Sequence, residues 1–306
     1  MRIFRELEIG EATDSLMREA DCGAHANLAA VRAVVACGGA RGGVGKSALL
    51  VNIAAALALA GRKVAILDAD LNSPSIAAML GVKAGRRAFV SDELDPLAGP
   101  LGLRLFSSEL LPEEEPPVSF ADVDETPPAA QNGAHPCEVG YLATLRRLLS
   151  HSRFGPLDLL LVDLASGIEH IFRFFKLMPR AHLLLFTHSS ELSARALRPA
   201  IGLASQHANG VIGVIENMAG FRCDGCHQVR PLMPYGAVAA RVRDAGAALL
   251  ERLPFDPRFA ETCDRGVIFV REYAQSPLAK QIGALAQLID KAAQARGEIQ
   301  AATPRL

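Results

Sequence analysis

The chain is predicted to fold as a doubly wound α/β domain, a mostly parallel sheet with helices on both faces. Three observations predict this. Strand-like apolar runs alternate with helix-length apolar patterns from about residue 29 to 296. Several runs, such as LDLLLVD from Leu157 and HLLLF from His182, are continuously apolar rather than alternating, as parallel strands buried on both faces require. The first run leads at once into a glycine-rich loop and then a helix pattern, the context a phosphate-binding loop needs.

Taken in order, strands are expected at Val31–Cys37, Lys63–Asp68, Leu103–Ser107, Leu157–Asp163, His182–Thr187, Gly210–Ile215 and Ala248–Leu253. Helices are expected at Ala48–Ala60, Tyr141–His151, Ile171–Met178, Leu192–Gln206 and Ser276–Ala295. The last carries one apolar stripe (Leu278, Ile282, Leu285, Leu288, Ile289) and few cations, so it is read as core packing rather than membrane docking. Residues 1–28 form a polar extension, 29–296 the phosphate-loop domain and 297–306 a tail. Within the domain, residues 111–137 are proline-rich and acidic and are read as a long surface loop.

Composition narrows the function classes. Half of the 306 residues are hydrophobic, the net charge is −1, and there is no Trp among 5% aromatics, which argues against a basic nucleic-acid face or a base-stacking platform. The charged start MRIFRELEIGEATDSLMREAD lacks the apolar core of a secretory signal. The longest apolar stretch, Ala48–Ala60, is interrupted by Asn52 and too short to span a bilayer. A cytosolic chain without stable membrane association is expected, so Cys22, Cys37, Cys137, Cys223, Cys226 and Cys263 read as thiols or metal ligands rather than disulfides.

The loop reads Cys37-Gly38-Gly39-Ala40-Arg41-Gly42-Gly43-Val44-Gly45-Lys46-Ser47. Small residues let backbone N–H groups close around phosphate oxygens at a helix N-terminus. Lys46 would reach the β/γ-phosphates and the Ser47 hydroxyl would bind Mg²⁺. Ala40 stands where the strict pattern has its first glycine. After the second strand, Asp68 and Asp70 are spaced to point the same way from an extended chain, toward the Mg²⁺ shell or an attacking water. The run Leu159-Leu160-Leu161-Val162-Asp163 is a Walker B pattern with Asp163 on the metal, and Gly167 would offer its N–H to the γ-phosphate as a switch.

Together R-G-G-V-G-K-S, L-D-A-D-x-x-x-P-S-I-x-x-M-L-G, Phe154-Gly155-Pro156-Leu157-Asp158 and Gly213-Val214-Ile215-Glu216-Asn217-Met218 resemble the deviant Walker A P-loop ATPases of the MinD/ParA-like class. The resemblance is greatest to the Mrp-type iron–sulfur carrier branch, and it runs from about Val31 to Ile289. It implies that Gly42, Gly43, Val44 and Gly45 with Lys46 and Ser47 hold ATP·Mg²⁺, that Asp70 positions the hydrolytic water, and that Asn217 hydrogen-bonds adenine beside Pro254-Phe255-Asp256-Pro257. It also implies a homodimer sandwiching two nucleotides. Two departures stand out. The lysine that reaches across such dimers is Arg41 here, which keeps the charge with a different reach and donor geometry. The switch pattern D-x-P-P-G-T-x-D is D-L-A-S-G-I-E-H, whose Gly-Ile-Glu is similar to the spatial-regulator branch.

Cys223-Asp224-Gly225-Cys226 places two sulfurs on one tight turn. One chain supplies two thiolates where a cubane cluster or a tetrahedral zinc takes four, so metal binding would make dimerisation a stoichiometric consequence. A bridging [4Fe–4S] cluster, a bridging zinc and an unmetallated or redox pair all remain open, with His227 an adjacent candidate ligand. Cys37 reads as a small core residue, and Cys22, Cys137 and Cys263, without partners at ligand spacing, as structural or incidental. Two functions follow as expectations: an ATP-hydrolysing iron–sulfur carrier or scaffold working with acceptor or assembly proteins, and, as the alternative, a MinD- or ParA-like positioning switch without a cluster.

Overall fold

The computed structural model describes residues 27–71, 73–83, 93–108, 136–206, 210–223, 225–226, 228–233 and 238–302. Ten strands are present among these: β1 (Val31–Gly39), β2 (Val64–Ala69), β3 (Leu97–Ala98), β4 (Arg104–Ser107), β5 (Leu157–Leu164), β6 (His182–His188), β7 (Val211–Asn217), β8 (Phe221–Arg222), β9 (Val229–Arg230) and β10 (Leu249–Arg252). The helices are α1 (Lys46–Leu59), α2 (Ile76–Met79), α3 (Pro136–His151), α4 (Ile168–Leu177), α5 (Glu191–Ser205), α6 (Val238–Asp244), α7 (Pro257–Asp264), α8 (Phe269–Glu272) and α9 (Pro277–Ala302).

Eight strands form one sheet in the order β10-β7-β6-β1-β5-β2-β4-β3. Every pairing in it is parallel except β3 with β4. The apolar runs occupy the middle: β5 and β6 are buried almost end to end because neighbours flank them and helices cover them. The chain winds outward from β1 in both directions, toward β5 on one side and β6 on the other. A crevice therefore opens at the carboxyl end of β1, where such sheets bind ligands. The loop from Ala40 to Gly45 emerges there.

Helix α1 and helix α9 pack on each other and on β1, while α4 packs on β1 and on α5. The α9 stripe is core, as expected, with Leu278, Ile282, Leu285 and Ile289 buried; Leu288 departs from it and is exposed. The helix also continues to Ala302, through residues expected to be tail. Among the described residues no helix is long and apolar enough to cross a membrane.

The acidic loop and the extension up to residue 26 fall outside the described residues, apart from Pro136 and Cys137, which begin α3 rather than ending the loop. The elements missed by sequence reading are short. Helices α2 and α8 have four residues each, too few to show a period. Helix α7 did carry a signal: Asp256 caps it, its carboxylate accepting the Arg258 N–H at 3.0 Å, and Pro257 sits at its first position.

The end of α7 is locked to the end of α2 through two glycines. Gly81 and Gly266 have φ of +66° and +64°, and a Cβ on Gly81 would lie 2.6 Å from the Gly266 carbonyl oxygen. Only bare α-carbons permit that approach. Gly266→Ala is expected to cost about 1–3 kcal/mol, from left-handed strain and displacement of α7. Urea unfolding checks it; an unchanged midpoint and slope would show the contact to be slack.

Candidate nucleotide site and cysteine hairpin

The loop closes as a helix N-terminus. Gly45 precedes α1 with φ +75°, and a Cβ there would stand 2.5 Å from Asn217 Nδ2. That amide donates to the Val44 carbonyl at 2.9 Å, tying the end of β7 to the loop. Gly42 and Gly43 are exposed, and a Cβ on Gly43 would meet nothing within 4 Å. The open side of the loop can thus receive an anion on its backbone. Arg41 is exposed beside it.

Behind the loop, Lys46, Ser47 and Asp163 come together. Lys46 Nζ is ion-paired with Asp163, and the Ser47 hydroxyl donates to the other Asp163 oxygen at 2.6 Å. Register explains the meeting, since Asp163 on β5 lies beside Cys37 on β1 and Asp68 on β2. Burial pushes the Asp163 carboxyl up, and Lys46 and Ser47 oppose it. Burial, and then Asp163, likewise raise the Cys37 thiol, which is core as expected.

Asp68 and Asp70 do not act as the parallel pair that strand spacing suggested. Strand β2 ends at Ala69, so the alternation does not extend to Asp70. Asp68 is buried and turned to the backbone, accepting N–H bonds from Asp70 (3.2 Å), Ser75 (3.0 Å) and Ile76 (3.1 Å). Burial and Asp163 push its pKa up to about 7, against those bonds. It shapes the turn into α2, leaving Asp70 half-buried at the crevice. Gly167 opens α4, but its N–H donates to the Gly39 carbonyl at 2.9 Å. Sensing a phosphate through that N–H requires this bond to break.

Asn217 also lines a cavity of about 230 Å³ with Gly45, Leu49, Phe255, Phe259 and Cys263. It is largely apolar, with Asp256 and Asp264 also among its lining residues, and its size and apolar lining suit a flat aromatic ring. Cys263, expected to be structural or incidental, lines this cavity, where α7 packs against α1. No spacing rule could have shown that.

The chain then leaves β7 for the cysteines. Met218 has φ +53°, and the following residues run beside the segment after β10, with Ala219 N–H donating to Leu253 O at 2.9 Å and Phe255 N–H to Gly220 O at 2.6 Å. Strands β8 and β9 pair antiparallel. The Cys223 N–H donates to Gln228 O at 3.0 Å across the tip, Cys223 is half-buried, and Cys226 is exposed. A second cavity of about 410 Å³ lies between this hairpin and the base cavity, sharing Pro254–Asp256 as a wall. His227 falls outside the described residues.

The family model of the ParA class described as NUBPL iron-transfer P-loop NTPase matches residues 30–125 and 139–290. The chain belongs to this family. A Saccharolobus solfataricus protein named iron–sulfur cluster carrier protein is 30% identical over 254 residues, spanning 82% of this chain and 80% of its own. The human cytosolic Fe-S cluster assembly factor NUBP2 is 31% identical over 270 residues, spanning 86% and 94%. Among solved structures, a nucleotide-binding protein in complex with ADP from Archaeoglobus fulgidus superposes with TM-score 0.68 at 25% identity, covering 85% of this chain and 96% of that one.

This NUBPL-family chain thus brings Gly42–Ser47, Asp163, Gly167 and Asn217 around one crevice, with Asp70 at its edge. Cys223 and Cys226 lie apart from it on their own hairpin. Gly45→Ala, which brings strain and a clash with Asn217, is expected to weaken ADP binding about tenfold or more. A fluorescent-nucleotide titration on a variant with unchanged circular dichroism checks it.

Proposed function

We propose that this chain is an ATP-binding and ATP-hydrolysing carrier or scaffold for iron–sulfur clusters. It works as a nucleotide-sandwich homodimer, with the cluster bridged by Cys223 and Cys226 of two chains. The observation that carries the reading is the cysteine hairpin joined to a nucleotide crevice in a member of an iron-transfer family. Among the described residues no group of three or more His, Cys, Asp or Glu is arranged to hold a metal ion. A four-thiolate centre then draws two sulfurs from each of two chains, and its exposed position suits a cargo that is handed on.

The donor set behind the loop fits Mg²⁺, because the Ser47 hydroxyl and the Asp163 carboxylate are hard oxygen ligands. Ser47 and Asp163 would hold it, and with ATP bound it would supply charge neutralisation on the phosphates. Loop N–H groups from Gly42 to Gly45 cradle the phosphates, Lys46 shares its charge between Asp163 and phosphate, Asp70 orients water, and Asn217 holds the base edge. Arg41, exposed at the rim, serves the partner chain's phosphates. The recipients are acceptor or assembly proteins, and the compartment is the cytosol, in keeping with the relative named a cytosolic assembly factor.

Anaerobic reconstitution tests the cargo. A visible charge-transfer absorbance is expected in the dimer and should vanish in the Cys223→Ser, Cys226→Ser double variant. Wild-type protein holding only zinc, or no metal, would sink the cluster reading. Focal cellular localisation that persists without both cysteines would favour the positioning switch instead. For Arg41, ATP turnover should survive in Arg41→Lys and drop about tenfold or more in Arg41→Ala, the scale of losing one charged phosphate contact. Equal turnover in wild type and Arg41→Ala removes this residue from the mechanism.

A further inference from the structure

His170 is the third residue of α4, and its side chain is only 16% exposed. Its ring meets Tyr141 of α3 edge-on, with centroids 5.1 Å apart. The Tyr141 hydroxyl in turn donates to the carbonyl of Ala69, at 3.2 Å, immediately before Asp70. The imidazole is thus linked through Tyr141 to the backbone one residue before Asp70, and the Asp70 charge acts on it.

Its two nitrogens differ. Nε2 lies 3.8 Å from Glu169 Oε1, and that carboxylate favours the tautomer carrying its proton on Nε2. Nδ1 is then a lone pair. It is buried, and among the described residues it has no hydrogen-bond partner. Leaving a buried acceptor without a donor is costly, so such a group implies a donor that the chain itself does not supply. Tyr141 and Glu169 contact the ring, and the charges of Glu169, Arg173 and Asp70 act on it. Burial above all holds its pKa below the usual histidine value; Arg173 acts in the same direction, while Glu169 and Asp70 oppose it. The ring is neutral near pH 7.

An imidazole lone pair and a carboxylate are both acceptors, and one water has two O–H groups to offer them. We infer that His170 is a positioning residue for ATP hydrolysis, its Nδ1 and the Asp70 carboxylate sharing a bridging water that holds Asp70 in the orientation needed to aim the attacking water. This rests on the ATPase reading above. Histidine acts through Asp70 and touches neither nucleotide nor the reacting water. Protonation at low pH converts Nδ1 from acceptor to donor. It then bonds Asp70 directly, and the carboxylate swings out of position.

The test compares wild type, His170→Asn and His170→Phe. Wild-type kcat should fall as pH drops through a midpoint below 6.5, the ordinary histidine value. In His170→Phe kcat should fall about tenfold at pH 7.5, as expected for one lost orienting hydrogen bond, with KM for ATP and ADP affinity unchanged. Asparagine can return an acceptor to the Nδ1 position, so His170→Asn should recover most of kcat and lose the acid limb. Nitrogen NMR supplies a readout independent of turnover: the wild-type His170 ring should show the Nε2–H tautomer, and its Nδ1 signal should move in a folded Asp70→Asn variant. Full kcat in His170→Phe, an acid limb that persists in His170→Asn, or an Nδ1 signal indifferent to Asp70 would each overturn the proposal. Wild-type protein without turnover would overturn the ATPase reading together with it, whereas a turning-over wild type with an indifferent His170→Phe overturns this proposal alone.

Discussion

The buried ion pair between Lys46 and Asp163 is the constraint around which this molecule is arranged. Each partner is almost wholly inside the protein, at 5% and 1% side-chain exposure. Neither charge is tolerable there alone, and removing one partner of such a pair typically costs about 3–5 kcal/mol. The pair exists only because β5 lies beside β1, with Asp163 next to Cys37 and the start of α1 directly beyond the loop. Strand order, loop closure and helix placement must all be correct before the two charges can meet. The same interior raises the carboxyls of both Asp68 and Asp163, so acidic groups crowd behind a loop that offers positive potential to an anion.

From this centre two connections lead outward. One runs through Gly167, whose N–H bond to Gly39 couples the first turn of α4 to the end of β1. That turn carries Glu169 and His170. The other runs along β7. Asn217 touches both the loop and the base cavity, and the next residues travel beside Leu253–Phe255 to the cysteine hairpin. The wall of the base cavity is also a wall of the cavity beneath the hairpin. The phosphate loop and the two-thiol turn are thus tied to one continuous stretch of backbone.

Most of the architecture was legible because parallel strands buried on both faces leave an unmistakable record. LDLLLVD and HLLLF have one comfortable environment, and both adopted it. The phosphate loop was legible for a similar reason, since its small residues and Lys-Ser pair serve a local geometry. Legibility failed where the determining contact is remote. Asp68 and Asp70 share a spacing that suggested a joint role, yet the turn into α2 claims Asp68 for three backbone N–H groups. Cys263 had no partner at ligand spacing, and its place in the cavity beside Asn217 follows from the packing of α7 against α1, elements far apart in the chain.

By itself the sequence determined the sheet class, the position of the nucleotide loop, the carboxylate that meets it and the presence of a two-thiol turn. Each is encoded by residues within one run, where apolar periodicity and local backbone needs act without reference to the rest of the chain. Tertiary structure alone decided that Asp68 is buried while Asp70 is only half-buried, that the His170 Nδ1 is buried without a hydrogen-bond partner among the described residues, and that the backbone leading to the cysteine hairpin is hydrogen-bonded to Leu253 and Phe255. Those depend on register and packing between segments far apart in the chain, where burial sets the electrostatics and no local pattern records the neighbour.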